Sequence, residues 1–430
     1  MLKNIAKNFS SLIVSQVIYK LLSFLAIAYA ARHIGDAAFG QLSFALYFGI
    51  LFFAMSDIGM SEVYILEAAG NRQNEKKSMG ICIGNRIIFS AAAFILLYAC
   101  AFFLSNSRDL FFLIFLIGAA MIIDSATFFL RSVFRAREQM EYEAVSIILE
   151  GAVKLFAIAA ALIIFKNSLF FLGVAFLLSS TASFLITALI CKNNFLLVKP
   201  VFKLDHFLSF SKRGLPFAVI GFLSVVSLKI DTIMLAKMSG DYIAGWYGAA
   251  VRLLEAILII PITSATVLFP VVSRLYNKSV KSFLKVYKVS LMASFVVGVF
   301  LAAAMYFGAG LMINIVFGKA FLNSVYIFRV LSLIVIPIFL RLLLERTAMA
   351  AGKTGVLLLA YIVAVAFKIA LNIVFIPILN YTGAAFTTIF IEFGVCAFIL
   401  IRLDVWFKKI TFHLIPDGIM DNIAFLHEKE

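Results

Sequence analysis

The sequence predicts an all-α polytopic membrane protein of twelve transmembrane helices in two halves built alike. Three observations carry that prediction. Of 430 residues, 64% are apolar and only 14% charged, with 47 Phe and a mean hydropathy of +1.08; a water-soluble domain with such a surface would aggregate. The apolar residues gather in twelve runs of about 20 residues or more, the length that crosses a bilayer. One short pattern also occurs twice, about half a chain apart.

The runs lie at 9–31, 41–66, 79–104, 110–134, 144–165, 169–191, 214–236, 247–272, 285–307, 323–345, 354–377 and 383–403. They are long and unbroken, without the ten-residue alternation of an outer-membrane barrel, so helices are expected and strands are not. The first run contains Ala28-Tyr29-Ala30, which looks like a cleavage site. The run is longer than the apolar core of a signal peptide, however, and the residues that follow it recur in mid-chain, where nothing is cleaved. It is therefore read as a spanning helix. Between the sixth and seventh runs, Cys191 to Arg213 carries Pro200 and a mildly amphipathic stretch, Leu204 to Arg213, expected to lie at the membrane surface as a connector. Pro261 and Pro337 fall in the middle of the eighth and tenth runs, where each frees a backbone carbonyl and permits a kink. Gly308 to Phe321 is too short to span and holds Gly308, Gly310, Gly318 and Lys319; a re-entrant or interfacial element is expected there. The expected organisation is an N-terminal bundle at 1–191, a linker at 192–213, a C-terminal bundle at 214–403 and a tail at 404–430.

Lys and Arg outside the runs are sharply partitioned. With the N-terminus inside, the outer side holds only Arg32, Arg108, Lys166, Lys237 and Lys319, and the large remainder is cytoplasmic. This bias places both termini in the cytoplasm and supports an even number of crossings. It also accounts for most of the net charge of +15, which points to anionic lipid headgroups rather than nucleic acid. The four cysteines, Cys82, Cys100, Cys191 and Cys396, sit in or beside apolar runs without metal-ligand or CxxC spacing and are read as small apolar side chains. No metal or cofactor is expected.

The repeated pattern is Arg32-His33-Ile34-Gly35-Asp36 ending in Gly40, and Lys237-Met238-Ser239-Gly240-Asp241 ending in Gly245, at an offset of 205. A second match, Ala152-Val153-Lys154-Leu155 with Ala366-Phe367-Lys368-Ile369, has an offset of 214. The pattern falls on the turns after the first and seventh runs, where Gly-Asp can reverse the chain and the second Gly opens the next helix. It pairs helix one with helix seven and two with eight, and so directs attention to the interface between them.

Ionisable groups near the middle of a bilayer cost at least ~2.5–3.5 kcal/mol each, so they face a partner or a wet cavity. The basic ones here are Lys20, Arg86, Lys154, Lys229, Arg252, Lys288, Arg329, Arg341 and Lys368; the acidic ones include Asp57, Glu62, Asp124, Glu150, Asp231, Glu255, Glu345 and Glu392. Lys288 and Arg341 lie near the cytoplasmic ends, within snorkelling reach. Helical spacing pairs Glu150 with Lys154, Arg341 with Glu345 and Arg252 with Glu255, and sets Asp124 and Arg131 on one face. Lys20 and Lys229 have no opposite charge three or four residues away, which makes them candidates for meeting charge on a substrate. A polar cavity between the halves, accepting an anionic headgroup and binding a coupling ion, is the functional expectation.

Several stretches together resemble the polysaccharide transporter branch of the multidrug/oligosaccharidyl-lipid/polysaccharide exporter superfamily. They are Leu22 to Gly40, Ser56-Asp57-Ile58-Gly59-Met60, Phe134-Arg135-Ala136-Arg137-Glu138 and Trp246-Tyr247-Gly248-Ala249-Ala250. The resemblance runs to about residue 403. It implies two six-helix bundles related by a pseudo-twofold axis, with helices one, two, seven and eight lining a cleft open alternately to either side. It implies a flippase that carries undecaprenyl-diphosphate-linked oligosaccharide repeat units, as in O-antigen assembly, across a bacterial cytoplasmic membrane. A polysaccharide polymerase and a chain-length regulator would be its partners. On that fold the cleft would contain Lys20, Asp57, Lys229, Asp231, Arg252 and Glu255, with Lys154 and Lys368 in supporting places. The substrate-binding candidates are thus Lys20, Lys229, Arg252, Lys154 and Lys368, whose charge suits phosphate oxygens. The ion-coupling candidates are Asp57, Asp231, Glu255, Asp124 and Glu150. Run one, Phe9 to Ala31, has no acidic residue, unlike cation-coupled multidrug members, and no room remains after Arg402 for the two extra helices of the peptidoglycan-precursor branch.

A glycan polymerase or ligase is the competing class. Such enzymes need large outer loops, and most of those here are about ten residues or fewer; none holds a His–acid pair, His33 stands alone, and there is no Walker motif. A transporter driven by an ion or substrate gradient, and not an enzyme, is the expected function.

Overall fold

Backbone polar groups in hydrocarbon must be satisfied within their own segment, and the computed structural model meets that demand with helices. It describes residues 2–70, 75–105, 107–165, 168–194, 198–202, 204–265, 268, 275 and 280–413, among which there is no strand. The helices are α1 (Leu2–Asp57), α2 (Met60–Gly70), α3 (Glu75–Leu104), α4 (Arg108–Ala136), α5 (Met140–Phe165) and α6 (Leu169–Asn194). They continue with α7 (Leu204–Met238), α8 (Asp241–Ile257), α9 (Val280–Phe317), α10 (Ser324–Ser332), α11 (Val335–Ala350) and α12 (Thr354–His413). After a turn at Leu258 the chain is helical again over 259–265. Among the described residues, eight helices are long and apolar enough to cross a membrane, and nine if α10 and α11, bent by 45°, form one span. The tail beyond residue 413, linker residues 195–197 and 203, and Arg72, Lys166, Arg274 and Lys278 lie outside the described residues.

Two of the long helices each contain two of the expected segments. The 56 residues of α1 would run ~84 Å if straight, against about 30 Å of hydrocarbon. The run is divided at Gly35, whose φ of 78° and ψ of 177° leave helical space. In α12 the break is Asn380, with φ 51° and ψ −132°; asparagine tolerates this region better than most side chains. The segment expected at 41–66 is broken at Ile58 and Gly59, both with positive φ. The kinks expected from proline fall just ahead of each ring: the turn at Leu258 precedes Pro261, and the 45° bend between α10 and α11 precedes Pro337.

One expectation is overturned. Gly308 to Phe317 is no re-entrant element but the last part of α9, and only Gly318 with the 3₁₀ turn Lys319–Phe321 departs from it. The glycines there are flanked by strong helix formers and apolar residues, and a continuous helix satisfies their backbone at once.

Packing divides the molecule by depth. A single large apolar cluster joins both halves at the end carrying Gly35 and Gly240, drawing Phe39, Tyr47, Leu113, Tyr247, Phe317 and Phe328 into one core. At the opposite end the core separates. Tyr64, Met79, Phe134 and Cys191 pack in one cluster of the first half, and Phe283, Leu344, Ile391 and Leu403 in another of the second. The bundle is closed at one end and forked at the other. The linker lies against the first half, where Val201 N–H donates to the Gly80 carbonyl at 2.9 Å.

The closed end rests on an unusually near approach of α1 to α8. A methyl group on Gly40 would overlap the Asp241 carbonyl oxygen and sit 2.9 Å from the Gly245 nitrogen; one on Gly245 would overlap the Asp36 carbonyl. Gly245→Val is therefore expected to lose about 1–3 kcal/mol of stability, read as a lower Tm of the solubilised protein. Gly310→Ala, where nothing stands within 4 Å of the new methyl, is expected to leave Tm unchanged or raise it.

Candidate functional site

Most of the intramembrane charges resolve into five groups, each drawing on more than one helix. In the first, Asp57 ends α1 and pairs with Arg86 of α3 while accepting the Ser61 hydroxyl at 2.6 Å. Arg86 also donates to the Ser125 hydroxyl on α4 at 2.7 Å and lies over the Phe129 ring. Every partner belongs to the first half.

The second group is also confined there. Lys154 on α5 lies 3.3 Å from Glu150, one helical turn away, and 3.5 Å from Asp124 on α4. Glu150 in turn receives Arg131 at 2.7 Å, and Arg131 is fixed by the Ser146 hydroxyl at 2.9 Å. The expected Glu150–Lys154 pair is present. Asp124 and Arg131, set on one face by their spacing, each take a partner from α5 instead of acting on one another.

In the second half, Asp231 of α7 is almost fully enclosed. It accepts Lys368 Nζ at 2.8 Å, the Thr388 hydroxyl at 2.6 Å, Asn372 Nδ2 at 2.7 Å and the Tyr247 hydroxyl at 3.2 Å. Four donors on one buried carboxylate satisfy it. Lys368 also donates to the Ser227 carbonyl at 2.5 Å. Lys154 and Lys368, matched in sequence, are thus both buried against acids of their own half, but the acids come from non-equivalent positions. A further network at the forked end joins Arg341 to Glu345 at 2.5 Å, to Glu392 at 3.0 Å and to the Tyr361 hydroxyl at 2.5 Å.

The last group alone spans the two halves. Lys229 of α7 pairs with Glu255 of α8, and Arg252 reaches the other oxygen of the same carboxylate at 3.3 Å. Both cations face one ring of the opposite half: Lys229 Nζ is 4.2 Å, and the Arg252 guanidinium carbon 4.9 Å, from the centre of Tyr47. An aromatic face attracts cations without neutralising them, so two positive charges share one negative charge. Glu255 is 29% exposed, whereas Asp57 and Asp124 are each 13%, Glu150 6% and Asp231 3%. Of the five ion-coupling candidates, Glu255 has the greatest access.

Lys20 lies on the first leg of α1 in a small cavity of about 30 Å³ with Gln16, Ile259, Ile262 and Thr263, large enough for a single water. It has no acidic partner among the described residues. The structure therefore brings Lys229, Arg252 and Glu255 together, sets Lys20 against Ile259, Ile262 and Thr263 of the helical stretch beyond α8, and sends Asp57 and Asp231 into networks elsewhere. Lys229 lacks an opposite charge three or four residues away on its own helix but finds Glu255 on the next. Sequence reasoning missed Tyr47, because a tyrosine in an apolar run carries no mark of the cations it will meet. It also left Arg86, Asn372 and Thr388 without roles, since their partners are 29, 141 and 157 residues away.

Residues 5–276 match the model of the family described as polysaccharide biosynthesis protein. No match is found among curated proteins. Among solved structures, the chain superposes on the inward-facing form of a multidrug resistance MATE family transporter of the MOP superfamily. The TM-score is 0.73 at 12% identity, covering 93% of this chain and 99% of that one. A mutant of a Vibrio cholerae MATE transporter gives 0.64 at 15% identity, covering 94% and 97%. A Pyrococcus furiosus MOP superfamily transporter, whose binding pocket is described as reversed in polarity, gives 0.63 at 14%, covering 94% and 96%. At these identities the likeness shows the fold: all-helical, of the MATE type.

The buried pair in the second half offers a direct check. Removing one partner strands a charge in a low-dielectric interior, at about 3–5 kcal/mol. Lys368→Met is expected to lower Tm and membrane abundance steeply. Asp231→Asn combined with Lys368→Met should recover a large part of the loss, which a double-mutant cycle would show as strong coupling.

Proposed function

Because the chain belongs to the polysaccharide biosynthesis protein family, we propose that it is a flippase moving an undecaprenyl-diphosphate-linked oligosaccharide across the bacterial cytoplasmic membrane by alternating access. One observation carries the reading. At the junction of the halves Lys229 and Arg252 share a single carboxylate against the Tyr47 ring, and Lys20, in a cavity with Ile259 and Thr263, has no acid of its own among the described residues. A lipid diphosphate supplies the missing negative charge through charge-assisted hydrogen bonds to its oxygens.

The forked packing supports the same reading. A cleft that widens toward one end, between two separately packed clusters, is the form of a carrier open to one side. The excess of Lys and Arg assigns that side to the cytoplasm, where lipid-linked units are made. We read the halves as bundles at 1–191 and 214–403, tethered by 192–213, with two legs each of α1 and α12 among twelve crossings. Anionic lipids would surround the cytoplasmic rim, and a polymerase and chain-length regulator would receive the product. Short connections at the closed end favour a carrier over an enzyme acting on the glycan. At the closed end α3 and α4 are joined only by 105–107, α5 and α6 by 166–168, and α7 and α8 by 239–240, too little chain to build a catalytic site for a polymerase or ligase.

The four carboxylates Asp57, Asp124, Glu150 and Asp231 each hold an internal cation. Glu255, shared and partly exposed, is our candidate for coupling: a substrate anion that takes Lys229 and Arg252 frees it to bind a proton or cation.

Loss of one charge-assisted phosphate contact is worth about 1.5–3 kcal/mol, or roughly 10–100-fold in binding. Lys20→Ala and Arg252→Ala are each expected to lower surface polysaccharide at normal protein abundance; wild-type polysaccharide in both would refute the cationic cleft. Glu255→Gln is expected to make lipid-linked glycan movement in vesicles insensitive to an imposed proton or sodium gradient, measured against the same vesicles carrying the wild-type protein.

A further inference from the structure

The repeated pattern that marks the two halves in the sequence does more than turn the chain. Its residues meet each other across the halves, in matched pairs. Gly35 and Gly240 hold the same unusual backbone, φ 78° with ψ 177° and φ 93° with ψ 170°. Each is followed by an aspartate whose side chain is taken by the opposite half. Gln41 Nε2 donates to Asp241 at 2.7 Å, and the indole N–H of Trp246 donates to Asp36 at 2.9 Å; Gln41 and Trp246 stand at the same place in the two copies. The helix-opening glycines complete the exchange, Gly40 lying against the Asp241 carbonyl and Gly245 against the Asp36 carbonyl.

The basic residues of the pattern cross over too. Arg32 donates through Nε to the Val316 carbonyl at 2.8 Å and also reaches the Ile315 carbonyl, at the C-terminal end of α9 in the second half. Lys237 donates to the Leu104 carbonyl, at the C-terminal end of α3 in the first half. Both ends carry unpaired carbonyls and the negative pole of the helix. Three positions in each copy, Asp36, Gly40 and Gln41 with Asp241, Gly245 and Trp246, therefore make reciprocal contacts with the other copy, and the basic residue of each copy reaches a helix end of the opposite half.

We propose that this reciprocal clasp is the gate of the side opposite the termini: it holds that end shut while the cleft is open at the fork, and it must part for cargo to leave. This rests on the carrier reading given above. The construction suits the task. The side-chain contacts of the clasp are short and polar, and a cavity of about 190 Å³ beside Gln41, Ser107, Lys237 and Asp241 gives the freed groups space for water. The carbonyls, carboxylates and cations can be hydrated on separation at small cost. The symmetry also makes opening cooperative, since a rotation that withdraws Asp36 from Trp246 withdraws Asp241 from Gln41.

The test needs a chain in which Cys82, Cys100, Cys191 and Cys396 are replaced by serine or alanine. Ser43 lies one turn inward of Gly40, buried, and a methyl group on Gly248 would stand 3.0 Å from its Cβ, close enough for a disulfide once the helices ease slightly apart. With Ser43→Cys and Gly248→Cys together, mild oxidation in membranes is expected to form the crosslink and to stop movement of lipid-linked oligosaccharide, with recovery on reduction. Separately, Ser43→Cys alone should react slowly with a membrane-impermeant maleimide added to the outer side. Adding Asp36→Asn and Asp241→Asn should speed that reaction about tenfold or more, since loss of charged hydrogen bonds raises the population of the open form. A crosslink that fails to form, a crosslinked protein that still transports, or a labelling rate unmoved by the aspartate changes would each overturn the proposal. The labelling arm uses no substrate. If it responds while the wild-type protein moves no lipid-linked oligosaccharide, the gate stands and the flippase reading falls.

Discussion

An ionised side chain withdrawn from water has to find its opposite, and that requirement organises this molecule more than any single apolar contact. Helices in lipid gain little from burying leucine against leucine, because the tails outside are equally apolar. Their positions are set by small residues that allow close approach and by polar groups that must be satisfied. Here Arg86 draws α1, α2, α3 and α4 together around Asp57, and Asp231 of α7 collects donors from α8 and both legs of α12. Each half is thereby a body with its own internal charge balance. The halves can then shift against each other without exposing those ions.

What is left over lies between the halves. The Lys229–Arg252–Glu255 group meets the first half through Tyr47, and Lys20 has no acidic partner among the described residues. Their imbalance is positive, in a chain of the polysaccharide biosynthesis protein family, with Lys229 and Arg252 on α7 and α8 against Tyr47 of α1. The apolar packing has the same logic. One cluster is shared where the repeated patterns meet, and two independent clusters lie where the chain begins and ends. Rigid bodies joined at one end and balanced on a polar seam are what alternating access requires.

The fold was legible from the sequence to a large degree. Run length and composition specify spanning helices because the bilayer imposes both, and the helical backbone with its breaks near Gly35, Leu258 and Leu333 follows from glycine and proline placement. The errors are equally physical. Gly308 and Gly310 suggested an interruption, but glycine only permits a break, and nothing at that place demanded one. Pairs three or four apart, such as Arg252 with Glu255, could be written down from helix geometry alone. Lys229 with Glu255, or Asp231 with Thr388, could not, because no local rule relates residues on different helices.

By itself, then, the sequence determined the class of solvent, the number and rough limits of the apolar runs, the two-fold internal repetition and the sign of the charge that has to be accommodated. Only the tertiary structure decided which charge meets which. It turned Lys154 and Lys368, identical in the repeat, toward acids from non-equivalent helices, and it placed Tyr47 between Lys229 and Arg252. It also turned the repeated Gly-Asp pattern from a marker of symmetry into the contact between the halves. The reason is one of range: periodicity and propensity act within a few residues along the chain, whereas desolvated charges and glycine contacts are settled by whatever helix packing brings within a few ångströms.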